Sequence, residues 1–247
     1  MKKNLAEIDG ISVVTPCYNE EEGMALLFSR LNSLEQMLIC EEIEYEIILV
    51  DDGSVDRTRE LAEQALVDHE HYQLVCHERN QGIGAALRTG FRTASKHIVV
   101  TVDADTNYDV RDVPLLLEYF NSGADLVTGS IFAPGAEWNY PAHRFVLSRS
   151  LVELYRRALK GKGDNIYTFT CGFRAYEREK LLECLPEADD FVATAEILIR
   201  FLLKGFSVVE YPCFNYDRKY GVSKLRTLST IKSHLEFMKK VYLGQVG

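Results

Sequence analysis

Short apolar runs alternate along the chain with stretches whose apolar residues recur at helical spacing. "ISVVTP" (11–16), "YEIILVDD" (45–52), "YQLVCH" (72–77), "HIVVTVD" (97–103) and "ADLVTG" (124–129) are rich in β-branched residues and predict strands. Between them, residues 20–38, "SVDRTRELAEQAL" (54–66), "GAALRTGFRTA" (84–94) and "VPLLLEYF" (113–120) predict amphipathic helices. Ser54 is placed to cap the second helix, with Asp56 and Glu60 favourable near its start. The strands are apolar throughout, so both of their faces are covered. Strands of this kind alternating with helices predict an α/β fold, with a mostly parallel, Rossmann-like sheet flanked by helices on both faces.

The second half has a different texture. The loop "FAPGAEWNYPAH" (132–143) leads into the basic amphipathic helix "RFVLSRSLVELYRRALK" (144–160). "TCGFRAY" and "FSVVEYP" predict strands, "FVATAEILIRFLLKG" a helix between them, and "LSTIKSHLEFMKKVYL" a C-terminal helix. "RKYGVSK" (218–224) is a cation-rich loop around Gly221. No linker, internal repeat or low-complexity segment interrupts residues 1–247, which predicts a single domain.

Composition narrows the function classes. Hydrophobic residues make up 47% and charged residues 26% of the 247, as in an ordinary globular protein with a sizeable core. No apolar run reaches the ~18 residues that a membrane span needs. The N-terminus "MKKNLAEIDG" lacks a signal-peptide core. The six cysteines show no C-x-x-C pair and no zinc spacing, and are read as reduced packing residues of a cytoplasmic protein. The net charge of −9 argues against general nucleic-acid binding. From Arg218 onward, however, seven Lys or Arg face Glu236 alone, giving +6 on the tail and −15 on the first 217 residues. A basic tail on an acidic body points to a local anionic partner, a phosphate group or a membrane surface.

Three predicted strands end in polar clusters: "TPCYNE" (15–20), "DDGS" (51–54) and "DADTN" (103–107). Ligands of open parallel sheets bind beyond the carboxyl ends of strands. Asp103 and Asp105, at i and i+2, would project to one side of a continuing strand, and two adjacent carboxylates call for a cation. Taken alone, each cluster also reads as a polar turn. "QGIGAAL" (81–87) lacks the third glycine of a dinucleotide loop and the Lys of a P-loop, and reads as close helix packing. The histidines form no metal pattern, and no G-x-S-x-G elbow or Cys–His signature is present.

In this order, "TPCYNE", "DDGSVDRT", "DADTN" and "RKYGVSK", together with "GAEWNYPAHRFVLSRS" and "TCGFRAY", resemble family 2 glycosyltransferases of the GT-A fold. Within them the likeness is to the dolichol-phosphate and polyprenyl-phosphate sugar synthases. The resemblance implies a nucleotide-sugar half over 1–129 and an acceptor half over 130–247. It implies that Pro16, Tyr18, Glu20 and Asp52 hold the nucleotide. Asp103, Ala104 and Asp105 would meet the donor diphosphate, with Mg²⁺ or Mn²⁺ on Asp103 and Asp105. Asn107 stands where the family usually has Gln and would be a third, shorter ligand. Arg218 and Lys224 match cations that close over the diphosphate, while Arg144 and Ser148 match residues that grip the acceptor phosphate. Ile131 replaces an arginine expected at the acceptor site.

The implied reaction is inverting, metal-dependent transfer from a nucleotide-diphosphate sugar such as GDP-mannose or a UDP-hexose to a polyprenyl phosphate. The enzyme would be cytoplasmic and peripheral at the membrane face. The cation excess on 144–160, where Glu153 is the lone acid, is unexplained by core formation and fits an anionic head group. An anionic phosphate needs only positioning, whereas a sugar hydroxyl acceptor would need a base, for which Glu196 is the candidate or else a residue on the solvent face of its helix. A non-catalytic nucleotide-sugar-binding protein is the third reading, opposed by the intact Asp103/Asp105 and Arg218/Lys224 pairs.

Overall fold

The structure is a computed structural model that describes residues 8–67, 69–136, 142–214, 216 and 227–246, with side chains from 145 and 229 onward in the two helices that begin at 142 and 227. Its strands are β1 (Gly10–Cys17), β2 (Glu44–Asp51), β3 (Tyr72–Cys76), β4 (Ile98–Thr101), β5 (Leu126–Ser130), β6 (Arg174–Glu177) and β7 (Val208–Pro212). Its helices are α1 (Met24–Cys40), α2 (Thr58–Leu66), α3 (Ile83–Thr93), α4 (Val113–Phe120), α5 (Ala142–Ala158), α6 (Arg178–Glu183), α7 (Val192–Lys204) and α8 (Thr227–Tyr242). The strands form one sheet in the order β3-β2-β1-β4-β6-β5-β7. β1 runs parallel to β2 and β4, β2 to β3, and β5 to β7, while β6 alone opposes its neighbours. The predicted mostly parallel sheet is therefore present.

Both faces of the sheet are covered because successive side chains point to opposite sides. Ile11, Val13, Ile47, Leu49, Ile98 and Val100 pack with α1, α2 and α4 on one face. Val14, Ile48, Val50 and Val99 pack with α3, α6 and α7 on the other. A third cluster joins α5, α7 and α8 around Tyr155, whose hydroxyl meets His234 Nδ1 at 2.6 Å. Burial lowers the pKa of His234, so this imidazole is held neutral. Four cysteines, 17, 171, 184 and 213, are buried in the packing, whereas Cys40 is exposed and Cys76 half-buried.

Some local expectations are corrected. The second helix begins at Thr58, not at Ser54. Asp56 Oδ1 accepts the Thr58 N–H at 3.0 Å, while the Ser54 hydroxyl accepts the Asn19 N–H at 2.9 Å. β4 stops at Thr101, two residues before Asp103. Helix α6 went unread because six residues are too few to show a period.

One carboxylate on β7, that of the half-buried Glu210, stands out. Glu210 Oε1 accepts the Tyr167 and Thr168 N–H groups at 2.9 and 2.8 Å, but Oε2 is buried with no hydrogen-bond partner among the described residues. Burial pushes its pKa from 4.5 up to about 7 against those two donors. The folded state thus prefers the protonated acid. The stability this lends is fully present below pH 4.5 and is lost as pH rises through about 7. Glu210→Gln should therefore gain on the wild type as pH rises from 5 to 8, by about 2 kcal/mol at pH 8. Denaturant titrations at the two pH values check this, and a pH-independent difference would refute it.

Candidate active site

The ladder β2-β1-β4 brings three strand ends side by side, with Cys17 opposite Asp51 and Val14 opposite Thr101. Beyond those ends the loops are stapled to one another. Asn19 Oδ1 accepts the Val55 N–H at 2.9 Å, Thr58 Oγ1 accepts the Glu20 N–H at 2.7 Å, and Glu21 Oε2 accepts the Arg57 N–H at 3.0 Å. Pro16 is buried within β1, whereas Tyr18 and Glu20 are half-buried at the rim of this double loop. Asn19 adopts φ 51°, a left-handed conformation that asparagine tolerates better than most residues.

Asp52 is tied into the fold at the end of β2. It is 3% exposed and accepts the Gln81 N–H at 2.9 Å and the Gly82 N–H at 2.8 Å. His77 Nδ1 lies 2.7 Å from Asp52 Oδ1, and because a carboxylate only accepts, that nitrogen carries the proton. His77 Nε2 pairs in turn with Thr89 Oγ1 at 2.9 Å. With these three donors the carboxylate fastens the loop before α3.

The same contacts settle "QGIGAAL". Two of its N–H groups go to Asp52, and the Gly84 N–H goes to Asp189 O at 2.8 Å. A Cβ on Gly84 would stand 1.9 Å from Ala188 O, so glycine is required by close backbone approach. The reading as close helix packing holds.

Glu196 departs from both of its expectations. It is 2% exposed rather than solvent-facing. Arg200 donates to its Oε1 from Nε at 2.9 Å and Nη2 at 2.6 Å, and Ala188 N–H donates to its Oε2 at 2.9 Å. With both oxygens held, this carboxylate anchors the loop that covers the N-terminus of α3. That is a poor disposition for a base that must reach a substrate proton.

After β4 the chain turns sharply. Thr106 N–H donates to Asp103 O at 3.3 Å, and Thr106 itself adopts φ 55°. Asp103 and Asp105 thus lie on a turn, not on a continuing strand. Ala104 between them points into the core at 4% exposure. Arg30 of α1 braces the turn from below, donating to Thr106 O at 2.7 Å and Tyr108 O at 3.3 Å. Tyr108 stacks on Phe173 with centroids 5.7 Å apart. Gly172 lies against Asp103 so closely that a Cβ there would sit 2.8 Å from both carboxylate oxygens. Sequence reasoning missed Arg30, His77 and Gly172, because each acts through a contact far away in the chain.

The donor set fits a hard divalent cation. Asn107 donates its side-chain N–H to Asp105 Oδ2 at 2.7 Å, and its backbone N–H to Oδ1 at 3.1 Å. Its own Oδ1 is buried with no hydrogen-bond partner among the described residues. An orphaned amide oxygen beside a carboxylate is a costly arrangement that an oxygen-seeking cation relieves. No group of three or more His, Cys, Asp or Glu stands at metal-binding spacing among the described residues.

The cations expected over the diphosphate, Arg218 and Lys224, lie outside the described residues. Tyr216 precedes them, and its N–H donates to Asn107 O at 2.8 Å. Arg144 lies in the first turn of α5, its side chain outside the description, and Ser148 is half-buried one turn on. Ile131 is 7% exposed within the core, where an aliphatic side chain suits the surroundings. Part of the α5 cation excess has local causes, correcting the expectation that packing leaves it unexplained. Arg156 donates twice to Ile166 O, at 3.0 and 2.8 Å, and Arg157 pairs with Glu153 at 2.9 Å.

Comparison with known proteins places the chain in a family. The chain is 35% identical over 221 residues to polyprenol monophosphomannose synthase of Mycolicibacterium smegmatis, covering 86% of this chain and 80% of that one. It is 33% identical to dolichol-phosphate mannosyltransferase of Pyrococcus furiosus, covering 94% of this chain and 62% of that protein. Undecaprenyl-phosphate 4-deoxy-4-formamido-L-arabinose transferase of Pectobacterium atrosepticum is 32% identical, with 91% and 65% covered. The chain thus spans less than two thirds of the last two. Among solved structures, glucosyl-3-phosphoglycerate synthase of Mycobacterium tuberculosis with Mn²⁺, UDP-glucose and phosphoglyceric acid superposes at TM-score 0.70. The identity there is 20%, with 100% of this chain and 85% of that one covered, a likeness of fold. The GT-A architecture is therefore present, and with residues 12–185 matching the family described as glycosyl transferase family 2, the chain belongs to that family.

Proposed function

We propose that this glycosyltransferase moves a sugar from a nucleotide-diphosphate sugar to a polyprenyl phosphate, with inversion at the anomeric carbon. The observation that carries the donor side is the orphaned Asn107 Oδ1 beside Asp105, under the Gly172–Asp103 contact. Asp103, Asp105 and Asn107 would hold Mg²⁺ or Mn²⁺. When bound, such a cation neutralises the charge that grows on the departing diphosphate. The double loop around Pro16, Tyr18 and Glu20 would seat the nucleotide, and Arg218 and Lys224 would add positive charge over the diphosphate. The phosphate oxygen of the acceptor attacks the anomeric carbon as the bond to the diphosphate breaks.

The state of Glu196 favours a phosphate acceptor over a sugar hydroxyl. An anionic acceptor needs no proton removed, and the carboxylate expected as base is already bound by Arg200 and Ala188. Arg144 and Ser148 of α5 would position the acceptor phosphate. The named synthases among the relatives lend support to the same acceptor class.

Two experiments test this reading. Asn107→Ala and Asp105→Ala should each weaken Mn²⁺ binding in calorimetry and lower turnover by about 100-fold or more while the fold persists. Unchanged metal affinity in both would remove the cation from this site. With polyprenyl phosphate as acceptor, Arg144→Ala should cripple transfer. Glu196→Gln should cost about 2 kcal/mol or more of stability yet keep kcat per folded molecule. A Glu196→Gln variant that folds well but loses turnover would restore the hydroxyl-acceptor mechanism.

A further inference from the structure

Among the described residues, six of the thirteen large hydrophobic side chains that stand exposed lie on α5, α8 and the residue after α8. They are Val146, Leu147 and Leu154 on the first helix, and Leu235, Tyr242 and Leu243 on or beside the second. These two helices pack together through Tyr155, Phe237 and Met238. The exposed residues lie on their outer surfaces, where the fold leaves them uncovered. Leu147 and Leu154 are seven residues apart, as are Leu235 and Tyr242, so each pair forms a stripe along its helix.

Charge accompanies the stripes. Lys232 and Lys239 stand three residues before Leu235 and Tyr242, so cation and apolar side chain alternate along one side of α8. Lys239 and Lys240 are exposed, and neither makes an ion pair among the described residues. Residues 145–160 and 227–243 together carry seven Lys or Arg against two carboxylates, on a chain whose net charge is −9. A second copy of the chain would meet this face with the same sign of charge, which opposes a two-fold interface.

We propose that the outer face of α5 and α8 docks on an anionic lipid bilayer, its aliphatic and tyrosine side chains entering the head-group region and its lysines meeting lipid phosphates. Lysine stems lie along apolar surface while their ammonium heads stay at the charged layer, so both residue types act together. Attraction of this kind is screened by salt. The inference deepens the preceding proposal, since α5 also carries Arg144 and Ser148. Docking would bring the acceptor-binding turn of that helix to the surface where a polyprenyl phosphate resides.

Its test needs no acceptor. The purified chain is cosedimented with phosphatidylcholine vesicles with and without phosphatidylglycerol. Retention is expected on the anionic vesicles and release at high salt. Lys239→Glu/Lys240→Glu and Leu235→Asp/Tyr242→Asp should each weaken partitioning at least about tenfold without lowering the thermal midpoint, because all four residues are exposed. Absence of retention on anionic vesicles, or full retention by both double variants, overturns the proposal. Sedimentation equilibrium without lipid covers self-association: a dimer that Leu235→Asp/Tyr242→Asp dissociates would assign the face to a second copy and overturn the bilayer. Transfer to a short, water-soluble polyprenyl phosphate should be equal in the wild type and both variants. Its absence from all three would count against the proposed function and leave the vesicle result standing.

Discussion

β1 is hydrogen-bonded in parallel to β2 on one side and β4 on the other, and the site depends on that pairing. A parallel ladder makes neighbouring strands finish at the same edge of the sheet, so their following loops compete for one region of space. Here the competition is resolved by side chains from one loop satisfying the backbone of the next. Asn19, Ser54, Thr58 and Asp52 are all spent in this way. A register shift of one residue between β1 and β4 would carry Asp103 away from these loops and turn every core side chain of β4 to the wrong face.

Polar groups near the site divide into those that are satisfied and those left waiting. Asp52 and Glu196 are buried with both oxygens of each hydrogen-bonded, and they hold the segments on either side of the N-terminus of α3. Asn107 Oδ1 is the opposite case, an amide oxygen kept from hydrogen bonding beside Asp105. An unsatisfied buried acceptor costs about 1–3 kcal/mol, and a position that keeps one is a candidate ligand. Thr106 at positive φ adds local backbone strain to the same turn. Glu210 shows that an orphan oxygen alone does not make a binding site. Its carboxyl relieves the cost by favouring the protonated form instead.

The proposed donor and acceptor sites lie on different parts of the fold. The candidate donor site is built on loops at the ends of β1, β2 and β4, where the sheet supplies rigidity. The helix proposed to position the acceptor, α5, packs on α7 and α8 rather than on the sheet, with an outer surface both apolar and cationic. Such a division suits a reaction in which one substrate is water-soluble and the other belongs to a lipid phase.

The sequence by itself determined the elements, because continuous β-branched runs and helical spacing are local properties that each segment carries alone. The seven strands and the long helices follow from it, as does the mostly parallel sheet, and "PCYNE", "DDGS" and "DADTN" mark the edge of the sheet where the candidate site lies. Boundaries failed where a side chain bonded across the fold. Ser54 reads as a cap until Asn19 claims its hydroxyl, and a strand through Asp103 looks continuous until Thr106 turns the chain. Only the tertiary structure shows which donors hold Asp52 and Glu196. Whether a carboxylate faces a ligand or a neighbouring backbone depends on donors at His77, Gln81, Ala188 and Arg200, and residue type alone does not record which donors arrive. Gly172 is legible only in three dimensions, since the Asp103 carboxylate that excludes a Cβ there lies 69 residues away in the chain.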